Sequence, residues 1–218
     1  MVFRKLFSSL KSSSGQKLKL TYFNIAGRGE ASRLILSYGN IPFEDERVEF
    51  SDLPKLREER NLPFSQLPVL KINDDEVLAQ SHAIETYAAK LAGIYPQDPL
   101  EAARADMMMN AINDLLNEAV VIVYLSGDKT DDERQALIEA FLEQTMPKIF
   151  AGVEKNIKTK YLATETSSHA DFLFYATFKH VVMAIKGFSW EAYPKAKAVF
   201  DALDCEPKLK AYMDKHHA

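Results

Sequence analysis

The segment from Lys17 to Tyr38, KLKLTYFNIAGRGEASRLILSY, changes its periodicity in the middle, and that change limits the folds open to the chain. Leu18, Leu20 and Tyr22 alternate with the two-residue period of a strand. After Asn24-Ile25-Ala26-Gly27-Arg28-Gly29, the residues Ala31, Leu34, Ile35 and Tyr38 recur at three- and four-residue steps, which is a helix face. A strand that passes through a glycine-punctuated loop into a helix start opens an α/β unit. Loops at the carboxyl ends of strands are where such sheets bind ligands. Tyr22, at the end of the strand, is therefore a candidate functional residue, although alone it reads as an ordinary half-buried strand aromatic.

The next stretch continues the same logic. Tyr38-Gly39-Asn40 carries a helix stop. Phe43 to Phe50 reads as a weak, charged strand suited to a sheet edge, and residues 51–61 as one short helix. Pro68 precedes the apolar Val69-Leu70-Lys71-Ile72 and pushes Leu67 toward an extended conformation. Asn73-Asp74-Asp75 supplies a turn, and Val77-Leu78-Ala79 pairs back as a hairpin strand. Ser81 is placed to cap a helix carrying Ile84, Ala88 and Leu91. The order βαβ, short α, ββα calls for a mixed sheet with helices on its faces.

From Pro96 onward the pattern changes to helix. Pro96-Gln97-Asp98-Pro99 reads as a linker, because two prolines this close do not sit inside a helix. Met108, Ile112, Leu115, Ala119 and Ile122 mark one face of a long helix over residues 100–125, and Met107-Met108-Met109 reads as packing. Thr130 with Glu133 makes a capping box for a helix bearing Ala136, Leu137, Ala140 and Phe141, and Pro147 bends or ends that helix. Ser168 with Asp171 caps a helix apolar on several sides, which predicts a central position. The division is then residues 1–16 as an extension, 17–95 as the α/β unit, 96–99 as a linker and 100–218 as an all-helical unit.

Composition excludes several classes. A net charge of -4 gives the chain no general attraction to nucleic acid. The single cysteine, Cys205, allows no internal disulfide and suits a reducing compartment, and it reads as packing. No apolar run approaches the roughly 20 residues of a membrane span. Neither zinc-type Cys/His spacing nor a phosphate-cradling glycine loop is present, so no metal site is expected. Residues 1–16, MVFRKLFSSLKSSSGQ, stand apart: they lack acids, are rich in serine and place Phe3, Leu6, Phe7 and Leu10 at helical spacing. They read first as a flexible arm, with an organellar address or a membrane-surface helix as alternatives. His216-His217 reads as a disordered tail.

TYFNIAGRGE, at residues 21–30, resembles the N-terminal signature of sigma-class glutathione transferases, the group that includes the haematopoietic type of prostaglandin D synthase. The resemblance extends over nearly the whole chain after Gln16 and includes Leu78-Ala79-Gln80-Ser81-His82-Ala83-Ile84. It implies a thioredoxin-like N-terminal domain that binds glutathione, followed by an all-α domain that holds the acceptor. It implies a catalytic Tyr22, with Arg28, Arg57, Gln66, Leu67, Pro68, Gln80 and Ser81 around glutathione and the Leu67-Pro68 bond cis. Gln80-Ser81 would take the γ-glutamyl carboxylate, and Asp114 would reach across a homodimer to the α-amino group. Phe23, Leu116 and Val120 would line the acceptor site. Two departures are evident: Asp52 is followed by Leu53 where the family usually has tryptophan, and Asn113 stands where it usually has an acid. The first leaves Arg57 as the basic partner of the glycyl carboxylate and predicts weaker tripeptide affinity. The second argues against a divalent-ion site of the prostaglandin-synthase kind.

The implied chemistry has a definite size. A model thiol has a pKa near 8.5, and making it mostly ionised at neutral pH takes a shift of about two units, or about 2.7 kcal/mol. One hydrogen bond to a charged group contributes roughly 1.5–3 kcal/mol. A well-placed Tyr22 hydroxyl therefore covers most of it, donating to the sulfur, with Arg28 as a nearby positive charge. No cysteine lies between Tyr22 and Ala31, which excludes a protein thiol as nucleophile there. The expected activity is conjugation of the thiolate to small hydrophobic electrophiles, with glutathione as co-substrate and no permanently bound cofactor, in the cytoplasm or, through residues 1–16, in an organelle. The alternatives are a glutathione-dependent isomerase of the prostaglandin D synthase type, or a non-enzymatic binding or structural protein on the same scaffold.

Overall fold

A computed structural model describes residues 15–60 and 62–217. The expectations for the N-terminal arm fall almost entirely outside these residues. The chain begins with β1 (Leu18–Phe23), a single 3-10 turn (Gly27–Gly29) and α1 (Glu30–Tyr38). Next come β2 (Glu44–Val48), α2 (Leu53–Glu59), β3 (Val69–Ile72), β4 (Glu76–Ala79) and α3 (Ser81–Ala92). The sheet order is β2-β1-β3-β4, with β1 parallel to β2 and antiparallel to β3. The charged strand expected at an edge is there, its carboxylates facing Lys19 and Arg60.

The helical half comprises α4 (Pro99–Tyr124), α5 (Asp131–Ala140), α6 (Met146–Asn156), α7 (His169–His180), α8 (Pro194–Asp204) and α9 (Pro207–His216). Pro99 occupies the first turn of α4, where its missing N–H costs nothing, and Asp98 caps that helix from Leu100 and Glu101 N–H. Both capping boxes are formed, Thr130 with Glu133 and Ser168 with Asp171. Pro147 does not end the helical run but stands in the first turn of α6. A π-helical segment, Phe141–Thr145, precedes it, with Met146 N–H bonding Phe141 C=O, so the wider turn absorbs the lost bond.

Residues Ala170 to Thr177 of α7 are all buried, and this helix is the centre of the molecule. One continuous apolar core runs from Leu18 and Leu20 of the sheet through α1 and α3 to α4, α6, α7, α8 and Met213 of α9. A smaller cluster, with Leu56, Leu62, Leu67 and Val69 around Tyr22, lies under α2 on the other side of the sheet. Three local expectations are corrected. Gln80, not Ser81, occupies the N-cap of α3, because its carbonyl accepts the Ile84 N–H at 3.0 Å. His217 is held, 2.6 Å from Glu30 Oε1, rather than loose, because a buried carboxylate receives it. Cys205 is exposed at the end of α8 and packs into no core.

Candidate active site

The chain direction of β1 carries Tyr22 to the carboxyl end of an interior strand, and the loop that follows is shaped by its ring. A Cβ on Gly29 would stand 2.5 Å from Tyr22 Cδ1, and one on Gly27, whose φ is +40°, 2.7 Å from Tyr22 Oη. Only glycine fits both places, so the backbone closes over the phenol. Arg28 N–H then donates to Tyr22 Oη at 3.0 Å. With that lone pair occupied, the hydroxyl proton is free to be donated outward. Burial raises the Tyr22 pKa, against the opposing influence of the Arg28 N–H and charge, so the phenol is neutral and a donor at physiological pH.

Behind the ring lies a buried charge network that the sequence reading missed. Arg33, fully buried, donates to Ile25 and Phe23 carbonyls and pairs with Asp45 at 2.9 Å and Glu30 at 3.2 Å. Its guanidinium carbon is 5.7 Å from the Tyr22 ring centroid. Helical spacing marks Glu30 and Arg33 as neighbours but says nothing about burial.

In front of Tyr22 opens a groove of about 470 Å³. Tyr22, Phe23, Arg28, Arg57, Gln66, Leu67, Pro68, Gln80, Ser81 and Val120 all line it. The Leu67-Pro68 bond is cis. Gln80 holds φ 71° and ψ 116°, a region costly for a residue with a side chain, and such strain tends to be kept where it serves a site. Its consequence is local: Ser81 becomes the first residue of α3 and lines the groove at that helix N-terminus.

Arg28 spans the gap between the two halves of the chain. Its Nη1 donates to Asn113 Oδ1 at 3.3 Å and its Nη2 to Asn117 Oδ1, both on α4. Arg57 donates to the Ser65 carbonyl at 2.8 Å. Among the described residues neither arginine is paired with a carboxylate, so the groove keeps two uncompensated positive charges. Such a cleft suits an anionic ligand.

One of the residues named from the sequence for this groove lies elsewhere. Leu116 is buried in the main core, one step around α4 from the face that Asn113, Asn117, Val120 and Tyr124 turn to the groove. Asp114, expected to act in a partner's groove and not in this one, is exposed on α4 next to Asn113. The apolar part of the lining is instead Phe23, stacked on Phe50 at 4.2 Å, with Ile25, Leu53, Phe64, Val120, Tyr124 and Leu125. Phe50, Phe64 and Leu125 are large and exposed, an arrangement a soluble surface avoids unless something covers it.

Comparison with known proteins gives an independent description. Residues 18–90 match the family "Glutathione S-transferase, N-terminal domain" and residues 113–216 the family "Glutathione S-transferase, C-terminal domain". Glutathione S-transferase A2 of Homo sapiens is 31% identical over 91% of this chain and 88% of its own length. Hematopoietic prostaglandin D synthase of Gallus gallus is 28% identical over 90% of this chain and 95% of its own. A solved prostaglandin synthase D of Nilaparvata lugens superposes with a TM-score of 0.80 at 31% identity, covering 93% of this chain and 99% of that one.

Proposed function

This chain belongs to the glutathione S-transferase family of enzymes, and from that premise we propose that it conjugates a Tyr22-stabilised glutathione thiolate to small hydrophobic electrophiles. What supports this most is the Tyr22 hydroxyl, which accepts from Arg28 N–H and so has its own proton to donate into the groove. In this reading glutathione lies along the Leu67 backbone, its γ-glutamyl carboxylate at Gln80-Ser81 and its glycyl carboxylate toward Arg57. Gln66 and Pro68 form the wall between them. The thiol loses its proton to solvent and the Tyr22 O–H steadies the anion. Arg28 adds a positive charge from the side. The thiolate carbon bond then forms at an electrophile resting on Phe23, Phe50 and Val120, and the leaving group departs into the open groove.

Residues 17–95 would hold glutathione and residues 100–218 the other wall of the acceptor site. We place the working unit as a homodimer, with Asp114 reaching the α-amino group in the partner's groove, and the protein in the cytoplasm. No helix among the described residues is long and apolar enough to cross a membrane. A second reading, a glutathione-dependent isomerase, is favoured by the likeness to prostaglandin D synthases and uses the same thiolate. The test is retention on immobilised glutathione followed by assay with a chlorodinitrobenzene-type acceptor and with an endoperoxide substrate. Conjugation is the expected result. Isomerisation without conjugation would favour the second reading, and retention without turnover would overturn both.

A further inference from the structure

We propose that Glu30, His180 and His217 form a binding site for a divalent transition metal of the zinc type, outside the groove and behind the Tyr22 loop. One ligand atom from each of the three lies within 4.8 Å of the other two. They come from three separate elements: Glu30 begins α1, His180 ends α7 and His217 follows α9. Two imidazole nitrogens and one carboxylate oxygen are the donors that zinc and its neighbours in the series accept, and they leave a fourth position open.

The groups are held as ligands need to be held. Glu30 divides its oxygens, Oε2 to Arg33 at 3.2 Å and Oε1 to His217 Nε2 at 2.6 Å. Arg33 is compensated by Asp45 at 2.9 Å, so it orients the carboxylate without claiming its whole charge. The His180 and His217 rings are neighbours, centroids 4.4 Å apart and planes tilted by 39°. A second observation points the same way: His180 Nε2 is buried and has no hydrogen-bond partner among the described residues. A bound cation would satisfy it. Tetrahedral zinc with bonds near 2.1 Å separates its ligand atoms by about 3.4 Å, so the Glu30–His217 contact must open by less than about 1 Å. His217, beyond the end of α9, can provide that movement by rotating.

Metal at this position would join α1, α7 and α9 immediately behind Gly29, the residue that closes over the Tyr22 ring. The experiment uses full-length protein stripped with a chelator and titrated with zinc chloride alone, followed by bound metal per chain after desalting and by Tm. One zinc per chain and a raised Tm are expected for the parent and for His216→Ala, which removes a neighbouring imidazole outside the cluster. His217→Ala and His180→Ala should each weaken binding by more than about 100-fold, beyond the roughly 10–100-fold that loss of an outer partner costs. His217→Ala alters a residue beyond the end of α9, and the metal-free Tm and circular dichroism of both variants show whether the fold is kept. No retained zinc in the parent would overturn the site, leaving a hydrogen-bonded latch. Undiminished binding in the two variants, or loss in His216→Ala alone, would overturn it as well.

Discussion

Tyr22 has its phenol oxygen fixed by one donor, its ring enclosed by two glycines and its far face set toward a buried guanidinium. Everything proposed for the chemistry depends on that side chain staying where it is. Gly29→Ala tests this without touching the hydroxyl. Its methyl would meet Tyr22 Cδ1 at 2.5 Å, so either the ring or the loop must shift. The expected cost is about 1–3 kcal/mol of stability, as for other overpacked sites, together with a fall in turnover larger than the loss in glutathione binding. Chemical denaturation and steady-state kinetics on the same variant check both. At this scale the sequence was informative about Tyr22, Arg28, Leu67-Pro68 and Gln80-Ser81, because each sits in a short motif. It marked Asn113 only as a departure from the family pattern and was silent about Asn117; their contact with Arg28 comes across 85 and 89 residues of chain.

Elements carry the next set of consequences. The cap of α7 is more than a helix end, because Asp171 is fully buried and accepts from Leu162 N–H, Ser168 N–H and the Ser168 hydroxyl. Burial pushes its carboxyl up to about 6 in spite of those donors. Asp171→Ala strands them, and at about 1 kcal/mol or more for each the loss should exceed roughly 3 kcal/mol, read as a lower Tm with unaltered thiol ionisation in the surviving folded enzyme. On the edge strand, burial alone would raise Glu46, but hydrogen bonds from Arg60, Lys19 and Thr21 hold it down to about 2. A depressed carboxylate contributes stability that is complete above its unfolded pKa near 4.5 and is lost as pH falls from there toward 2. Acid titration of unfolding free energy should therefore show a loss on the order of 2–3 kcal/mol across that window, smaller in Glu46→Gln. Capping boxes and the charged edge strand were readable because their signals are local. Leu116 was not, because one step around α4 separates the core face from the groove face, and only the packed helix says where that boundary falls.

At the scale of the whole molecule, the two halves share one core, and the groove lies on the seam between them. Element order and mixed sheet followed from periodicity and turn chemistry, but that the halves pack as one body, and that His217 docks on Glu30 from 187 residues away, depends on contacts no window of sequence contains. The exposed Asp114 on α4 and the exposed Phe64 at the rim make a testable case for pairing. Sedimentation should give twice the chain mass. Asp114→Ala should keep that mass while raising KM for glutathione with little change in kcat, since it would act on the α-amino group and not on sulfur. A monomer with full activity would contradict the dimer.

The central claim is that the residue-22 hydroxyl stabilises a sulfur anion on bound glutathione. Its most direct test is an ultraviolet difference titration of thiolate in the binary complex of the parent and of Tyr22→Phe. The account predicts that the parent ionises about two units below the free thiol, and that the variant returns toward 8.5 with turnover at neutral pH down by roughly 10–100-fold. Equal ionisation and equal turnover in the two proteins would contradict it.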